Sequence, residues 1–84
     1  MDPKGPYRTF AAALSAAVRA SGRRKDGIAA AVRIHKTTLS RWLNGHTLPT
    51  PDVWRPVASR LREIGIDPAP IAAAVAAEYA DLPV

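Results

Sequence analysis

Apolar side chains recur every three or four residues in five segments of the 84-residue chain, with Gly or Pro at most of the breaks between them. This spacing places the side chains on one face of an α-helix, whereas a half-buried strand alternates every second residue. No segment sustains the two-residue alternation. The sequence therefore predicts an all-α fold of about five helices.

In the first half of the chain, turn-forming residues predict where three helices end. A first helix is predicted from about residue 6 or 7 to Ala20, because Ser21-Gly22 follows it. A second begins near Lys25 and ends at a turn around Arg33. A third is predicted to span residues 36–43, since Asn44-Gly45 follows and Gly adopts a positive φ without strain.

In the second half, Pro and Asp residues predict where two more helices begin. Thr50 is the expected N-cap of a fourth helix, with Pro51 in its first position and Pro56 distorting its second turn. Asp67 is the expected cap of the fifth helix. The apolar stripe of the fourth helix is predicted to comprise Val53, Val57, Leu61 and Ile64, and that of the fifth Ile71, Val75, Tyr79 and Leu82.

The charges are distributed unevenly along the chain. All twelve Lys and Arg lie in residues 1–62, which contain three acids and carry a net charge of +9. Residues 63–84 carry four acids and no Lys or Arg, a net charge of −4. A basic body is typical of proteins that bind a polyanion, although surface charge also serves solubility.

Several classes of function are not expected. The chain has no Cys, no apolar run long enough for a membrane span and no export signal near residue 1, so a cytoplasmic protein is expected. His35 and His46 have too few neighbouring ligands for a metal site. No catalytic set is apparent, and neither enzyme activity, a cofactor nor a small-molecule ligand is expected.

Residues 25–42 have the pattern of two short helices joined by a tight turn. The apolar positions are Ile28, Val32, Ile34, Leu39 and Trp42, and Ala29 is small where the second helix is expected to cross the first. Ile34 then fills the gap after the turn. The opposite face of the second helix is polar and basic, which is typical of a helix-turn-helix. Trp42 and Trp54 are interpreted as core residues.

The run "KDGIAAAVRIHKTTLSRWLNG", residues 25–45, resembles the helix-turn-helix of the Cro/C1-type, or XRE, family. The similarity extends over residues 9–64 and includes the run Thr38 to Gly45 and the segment Thr47 to Thr50. It implies a five-helix, phage-repressor-like domain that binds double-stranded DNA. Family members usually act as homodimers on two-fold-related operators.

Three residues depart from the family pattern. Arg33 occupies the turn position where Gly is common, so it is expected near the left-handed region. His35 replaces the usual Ser or Thr before the third helix, so a poor cap is expected. Arg23 replaces a buried apolar residue, and either lays its stem over the core or turns outward to a phosphate.

The resemblance also implies roles for individual side chains. Those expected to reach base edges are Lys36, Thr37, Ser40 and Arg41, with Arg41 on a guanine and Thr37 on a thymine methyl. Those expected nearer the phosphates are Arg23, Arg24, Lys25, His35, Thr38, Asn44 and His46.

The predicted organisation has three parts, namely an N-terminal arm over residues 1–6, the helix-turn-helix domain over 7–65 and a C-terminal helix over 66–84. That last helix is a candidate dimerisation element through Ile71, Val75, Tyr79 and Leu82. The favoured function is a bacterial transcriptional regulator. The alternatives are a protein-interaction module that uses the acidic last helix, or a DNA-binding antitoxin, excisionase or partition factor. The sequence does not distinguish a repressor from an activator, nor a complete protein from part of a longer regulator.

Overall fold

The computed structural model describes residues 5–81, which form five α-helices and no strand. The helices are α1 Arg8–Ser21, α2 Lys25–Ala31, α3 Lys36–Leu43, α4 Pro51–Glu63 and α5 Ala69–Asp81. The all-α prediction is confirmed, and α3 has the predicted bounds. None of the helices in the described residues is both long and apolar enough to span a bilayer.

A single core joins side chains from all five helices. Phe10 and Leu14 of α1, Trp42 of α3 and Trp54 of α4 all belong to this core. The rings of Phe10 and Trp42 meet edge to face, with centroids 6.0 Å apart and planes at 72°. Such a contact stabilises the fold by about 0.5–1.5 kcal/mol beyond the stabilisation from burying the two rings. Both Trp residues are therefore core residues, as predicted.

The helix starts in the second half of the chain follow the predicted signals. Thr50 is the N-cap residue of α4 and Pro51 is its first residue, although the Thr50 hydroxyl makes no capping hydrogen bond. The helix continues through Pro56 to Glu63. Asp67 Oδ1 accepts the N–H of Ala69 at 3.0 Å, so its predicted role as the cap of α5 is confirmed.

The prediction that Val53 belongs to the buried stripe of α4 is wrong. Val53 is 43% exposed, whereas the next residue, Trp54, is 9% exposed. Both positions are compatible with helical spacing to the buried Val57, which follows them by four and three residues. The indole removes more apolar surface from water than an isopropyl group does, so the helix turns Trp54 inward.

Helix α5 packs mainly against α1, and this corrects the expected dimer surface. Ile71 is 0% and Val75 is 7% exposed, and both belong to the core of the chain. They are therefore not free to contact a second copy. Tyr79 is 39% exposed, while its hydroxyl donates to the Pro49 carbonyl at 2.8 Å. Leu82, the fourth residue assigned to that surface, lies outside the described residues.

Helix α1 lacks a local cap, and its first turn meets a buried carboxylate from the far end of the chain through a long hydrogen bond. Tyr7, at the N-cap position, makes no side-chain capping bond, and the first turn contains no acid. Glu78 of α5 is only 8% exposed, and its Oε2 accepts the backbone N–H of Phe10 at 3.5 Å. A carboxylate near a helix N-terminus is stabilised by the helix dipole. One acid of the "acidic" last helix is thus part of the interior.

The last residues of the predicted N-terminal arm pack onto the end of α3. The Gly5 N–H donates to the Asn44 carbonyl at 2.8 Å, and the Tyr7 N–H donates to the Gly45 carbonyl at 3.0 Å. Gly5 is buried by this contact. The remainder of the predicted arm, residues 1–4, lies outside the described residues.

Candidate nucleic-acid interface

Helices α2 and α3 are joined by a turn in which Arg33 has φ = 58°. The Arg33 N–H donates to the Ala30 carbonyl at 3.2 Å, and the Ile34 N–H donates to the Ala29 carbonyl at 3.0 Å. These bonds satisfy the last carbonyls of α2, and many helices end in the same way at a residue in the left-handed conformation. The prediction that a non-Gly residue occupies the left-handed region here is confirmed.

The two faces of α3 are those predicted. Leu39 and Trp42 are buried in the core, on the inner face. The outer face carries four exposed polar side chains, namely Lys36, Thr37, Ser40 and Arg41. The helix has eight residues, and an α-helix with its side chains is about 10–12 Å across, which fits the major groove of B-DNA, about 12 Å wide.

The N-terminus of α3 is capped by an imidazole in place of a hydroxyl. His35 Nδ1 accepts the Thr37 N–H at 3.4 Å, beyond the usual range for such bonds. The expectation of a poor cap is consistent with this length. His35 is exposed beside Lys36, at the end of α3 that adjoins α2.

An open cleft lies between the start of α2 and the outer face of α3. Its walls bring together Lys25, Lys36, Thr37 and Ser40, with Asp26 and Leu39. The ammonium groups of the two Lys and the hydroxyls of Thr37 and Ser40 offer hydrogen-bond donors to an anion or to base edges. The carboxylate of Asp26 attracts the nearby cations. The structure thus joins one expected phosphate contact, Lys25, to three of the four expected base contacts.

A second cleft adjoins the first and shares Lys25 and Asp26 with it. The cations along it are Arg19, Arg23, Arg24 and Lys25. Arg19, in the last turn of α1, was not among the predicted contact residues. The sequence did contain a signal for Arg19. Arg19 lies three residues before Gly22, where α1 ends, and is therefore close along the chain to Arg23 and Arg24.

Besides His35, two more of the expected phosphate contacts make internal side-chain hydrogen bonds. One guanidinium nitrogen of Arg23 donates to the Ile64 carbonyl, the C-cap of α4, at 3.3 Å. The Arg23 side chain remains exposed. Because a guanidinium has five N–H donors, it can hold the end of α4 and still face an anion. Asn44 Nδ2 donates to the Ser40 carbonyl at 2.9 Å, so one of its two amide N–H groups closes α3.

The remaining expected contacts lie at different places around α3. Arg24 is exposed before α2, Thr38 is half-buried within α3, and His46 is exposed just beyond the helix end. The His46 N–H donates to the Arg41 carbonyl at 2.9 Å. His46 is therefore at the opposite end of α3 from Lys25 and Lys36. Within residues 5–81 no group of three His, Asp or Glu side chains could hold a metal ion.

Residues 14–68, more than half of the chain, match a protein-family model described as helix-turn-helix. Searches among curated proteins and among solved structures returned no significant match. The matched residues include the whole of α2, α3 and α4, together with the turn at Arg33. The protein thus belongs to the Cro/C1-type, or XRE, family of DNA-binding helix-turn-helix domains.

Proposed function

We propose that this protein binds double-stranded DNA in a sequence-specific manner and acts as a bacterial transcriptional regulator in the cytoplasm. One observation carries the proposal. The face of α3 that carries Lys36, Thr37, Ser40 and Arg41 is exposed, while Leu39 and Trp42 fix the opposite face in the core. A rigid helix with an exposed polar face fits the major groove.

Base recognition is assigned to the outer face of α3. Arg41 offers a guanidinium fork that matches the O6 and N7 acceptors of guanine. Thr37 offers a methyl group to thymine and a hydroxyl to other edges. Lys36 and Ser40 supply further donors at the cleft that they share with Lys25.

Phosphate binding is assigned to the second cleft, because a high density of cations is typical of a surface that follows a DNA backbone. Arg24 and Lys25 are exposed there, and Arg19 joins them. Arg23 contributes from the same cleft while it holds the end of α4. These contacts add affinity that does not depend on sequence.

We further propose that two copies bind a two-fold-related site. The buried positions of Ile71 and Val75 leave only the outward side of α5 for a second copy. That side carries the partly exposed Tyr79 and several exposed small residues, namely Ala73, Ala76, Ala77 and Ala80. Small side chains allow two helices to approach closely. A two-fold dimer would place its two α3 helices about 34 Å apart, one turn of B-DNA.

The alternative of a protein-interaction module loses part of its support. That alternative depended on an acidic last helix available to a partner. Glu78 is buried, which leaves Asp81 as the exposed acid of α5. The exposed basic residues beside α3 favour DNA as the main partner.

Selection of bound sequences from random double-stranded DNA tests the proposed function. We expect enrichment of one short motif, repeated with two-fold symmetry at a spacing of about one helical turn. A variant with Lys36→Ala and Arg41→Ala should lose the enrichment. Arg62→Ala serves as the control, because Arg62 is exposed on α4 and lines neither cleft. Failure of the wild-type protein to enrich any motif would contradict the proposal.

A further inference from the structure

The segment that follows α3 is held at both of its ends. We call residues Asn44 to Pro49 the exit segment, because it connects α3 to α4. At its start, the carbonyls of Asn44 and Gly45 accept the N–H groups of Gly5 and Tyr7. At its end, the Pro49 carbonyl accepts the Tyr79 hydroxyl at 2.8 Å.

The attachments at the two ends of the exit segment involve two neighbouring residues of α5, Glu78 and Tyr79. Tyr79 contacts the end of the exit segment directly. Glu78 acts on its start through α1, since its carboxylate accepts the Phe10 N–H in the first turn after Gly5 and Tyr7. Glu78 is buried, and within residues 5–81 no buried side-chain nitrogen or oxygen lacks a partner. Loss of the Tyr79 hydroxyl therefore frees the Pro49 carbonyl at one end of the exit segment. Loss of the Glu78 charge weakens the hold on the start of α1, whose backbone bonds to Asn44 and Gly45 remain.

The exit segment is in turn bonded to the last turn of α3, where two base-reading residues lie. The Asn44 N–H donates to the Ser40 carbonyl at 3.0 Å, and the His46 N–H donates to the Arg41 carbonyl at 2.9 Å. Phe10 also contacts Trp42, the residue after Arg41, through its ring. Movement of the exit segment or of the start of α1 consequently moves the backbone that carries Ser40 and Arg41.

Base readout is sensitive to such movement. A hydrogen bond weakens steeply once its angle or distance departs from the optimum, and a bidentate contact has two bonds to keep aligned. Phosphate contacts made by the long side chains of the second cleft tolerate a displacement of α3 better than base contacts do. A loosened exit segment should therefore lower discrimination between DNA sequences more than it lowers general affinity.

We propose that Glu78 and Tyr79 are positioning residues that set the sequence discrimination of α3, although neither lines the clefts assigned to DNA. This inference rests on the proposed function. This role lies within one subunit, because the Tyr79 hydroxyl contacts Pro49 of the same chain, whereas only the exposed part of the Tyr79 ring is available to a second copy.

The test compares Glu78→Gln and Tyr79→Phe, which remove a charge and a hydroxyl while they keep side-chain size. Glu63→Gln is the matched control, since Glu63 is an exposed acid on α4. Affinities for a selected site and for a scrambled duplex are measured well below the melting temperature. Tyr79→Phe should lose about two- to tenfold in affinity for the selected site, the effect of one hydrogen bond, with little change for scrambled DNA. Glu78→Gln keeps an acceptor oxygen and loses only the charge, so its loss should be in the same direction and smaller.

Two further measurements separate positioning from a general loss of stability. Amide resonances of residues 40–46 should shift in both variants of free protein and stay unchanged in Glu63→Gln. In an Arg41→Ala background, Tyr79→Phe should cause less additional loss of discrimination than it does alone, because the two changes affect the same contact.

The outcomes distinguish this inference from the function on which it rests. A wild-type protein that binds selected and scrambled DNA equally contradicts the proposed function, and positioning of base readout fails with it. A wild-type protein that discriminates, together with a Tyr79→Phe variant that folds and discriminates equally well, overturns only the positioning role. If Glu78→Gln does not fold, Tyr79→Phe alone decides.

Discussion

Gly5 lies directly against the backbone of Gly45, which is 40 positions away along the chain. A Cβ atom added to Gly5 would overlap the carbonyl group of Gly45 and the amide nitrogen of His46. Both obstacles are backbone atoms and cannot rotate away as a side chain would. The close approach lets Gly5 and Tyr7 donate hydrogen bonds to the end of α3. The start of α1 and the end of α3 are consequently packed together.

Gly5→Ala should therefore destabilise the fold by about 1–3 kcal/mol, the usual effect of overpacking. Urea denaturation measures this change. Gly27→Ala is the control, because a Cβ at Gly27 meets nothing within 4 Å and Gly27 lies in α2. That control should be neutral or stabilising by up to about 1 kcal/mol. Equal effects of the two changes would contradict the close packing of Gly5.

Arg33→Gly should stabilise the protein by about 1 kcal/mol, because a side chain in the left-handed region strains the backbone and Gly does not. The opposite change, Gly22→Ala, provides the comparison. Gly22 has φ = 69° and open space around it, so only the backbone conformation opposes a Cβ there. Thermal denaturation should show Arg33→Gly above and Gly22→Ala below the wild-type melting temperature. A lower melting temperature for Arg33→Gly would mean that the Arg33 side chain makes a stabilising contact.

Arg41→Ala and Lys25→Ala should affect DNA binding in different ways. Loss of Arg41 should cost about 1–3 kcal/mol on a selected site and relax the preference at one base position. Loss of Lys25 should weaken binding to all sequences about equally, since it is assigned to phosphate. Titrations of both variants against selected and scrambled duplexes measure the difference. Equal losses for both variants on both duplexes would refute the assignment.

DNA binding should weaken steeply as salt concentration increases. If each of two subunits neutralises about four phosphates, the logarithm of the association constant should fall with the logarithm of salt concentration at a slope of about −7. Lys25→Ala should make this slope shallower by about 1 per subunit. Fluorescence anisotropy at several salt concentrations provides the measurement. An affinity that does not depend on salt would rule out the cationic clefts as the DNA surface.

Val75→Asp should destabilise the monomer by about 3 kcal/mol or more, because it introduces a charge into the core without a partner. Ala77→Asp introduces the same side chain on the outward side of α5, where Ala77 is exposed. It should cost about 1 kcal/mol or less. Denaturation of both variants tests which side of α5 is buried. The reverse order of stabilities would return Val75 to the surface as a dimer contact.

The sequence by itself determined the helix-turn-helix and the orientation of its second helix. The signals for α3 are local, since Asn44-Gly45 ends the helix and Leu39 and Trp42 share a face three residues apart. Helical periodicity then leaves Lys36, Thr37, Ser40 and Arg41 on the other face. The left-handed turn at Arg33 was also predictable, because the resemblance places Gly at that position in many relatives.

Only the tertiary structure decided which residues of α4 and α5 are buried where helical spacing alone allowed more than one arrangement. Val53 and Trp54 both fit the spacing of α4, and the shape of the core selected the larger ring. The stripe of α5 is equally suited to a partner subunit or to α1, and packing within the chain buried Ile71 and Val75.

The two long-range hydrogen bonds of α5 were likewise beyond the sequence. The bond from Phe10 to Glu78 joins residues 68 positions apart, and that from Tyr79 to Pro49 joins residues 30 apart. Helical periodicity reports which face of a helix is apolar, but it carries no information about which distant group meets a polar atom on that face. Such pairs form only when the packed core brings two ends of the chain together.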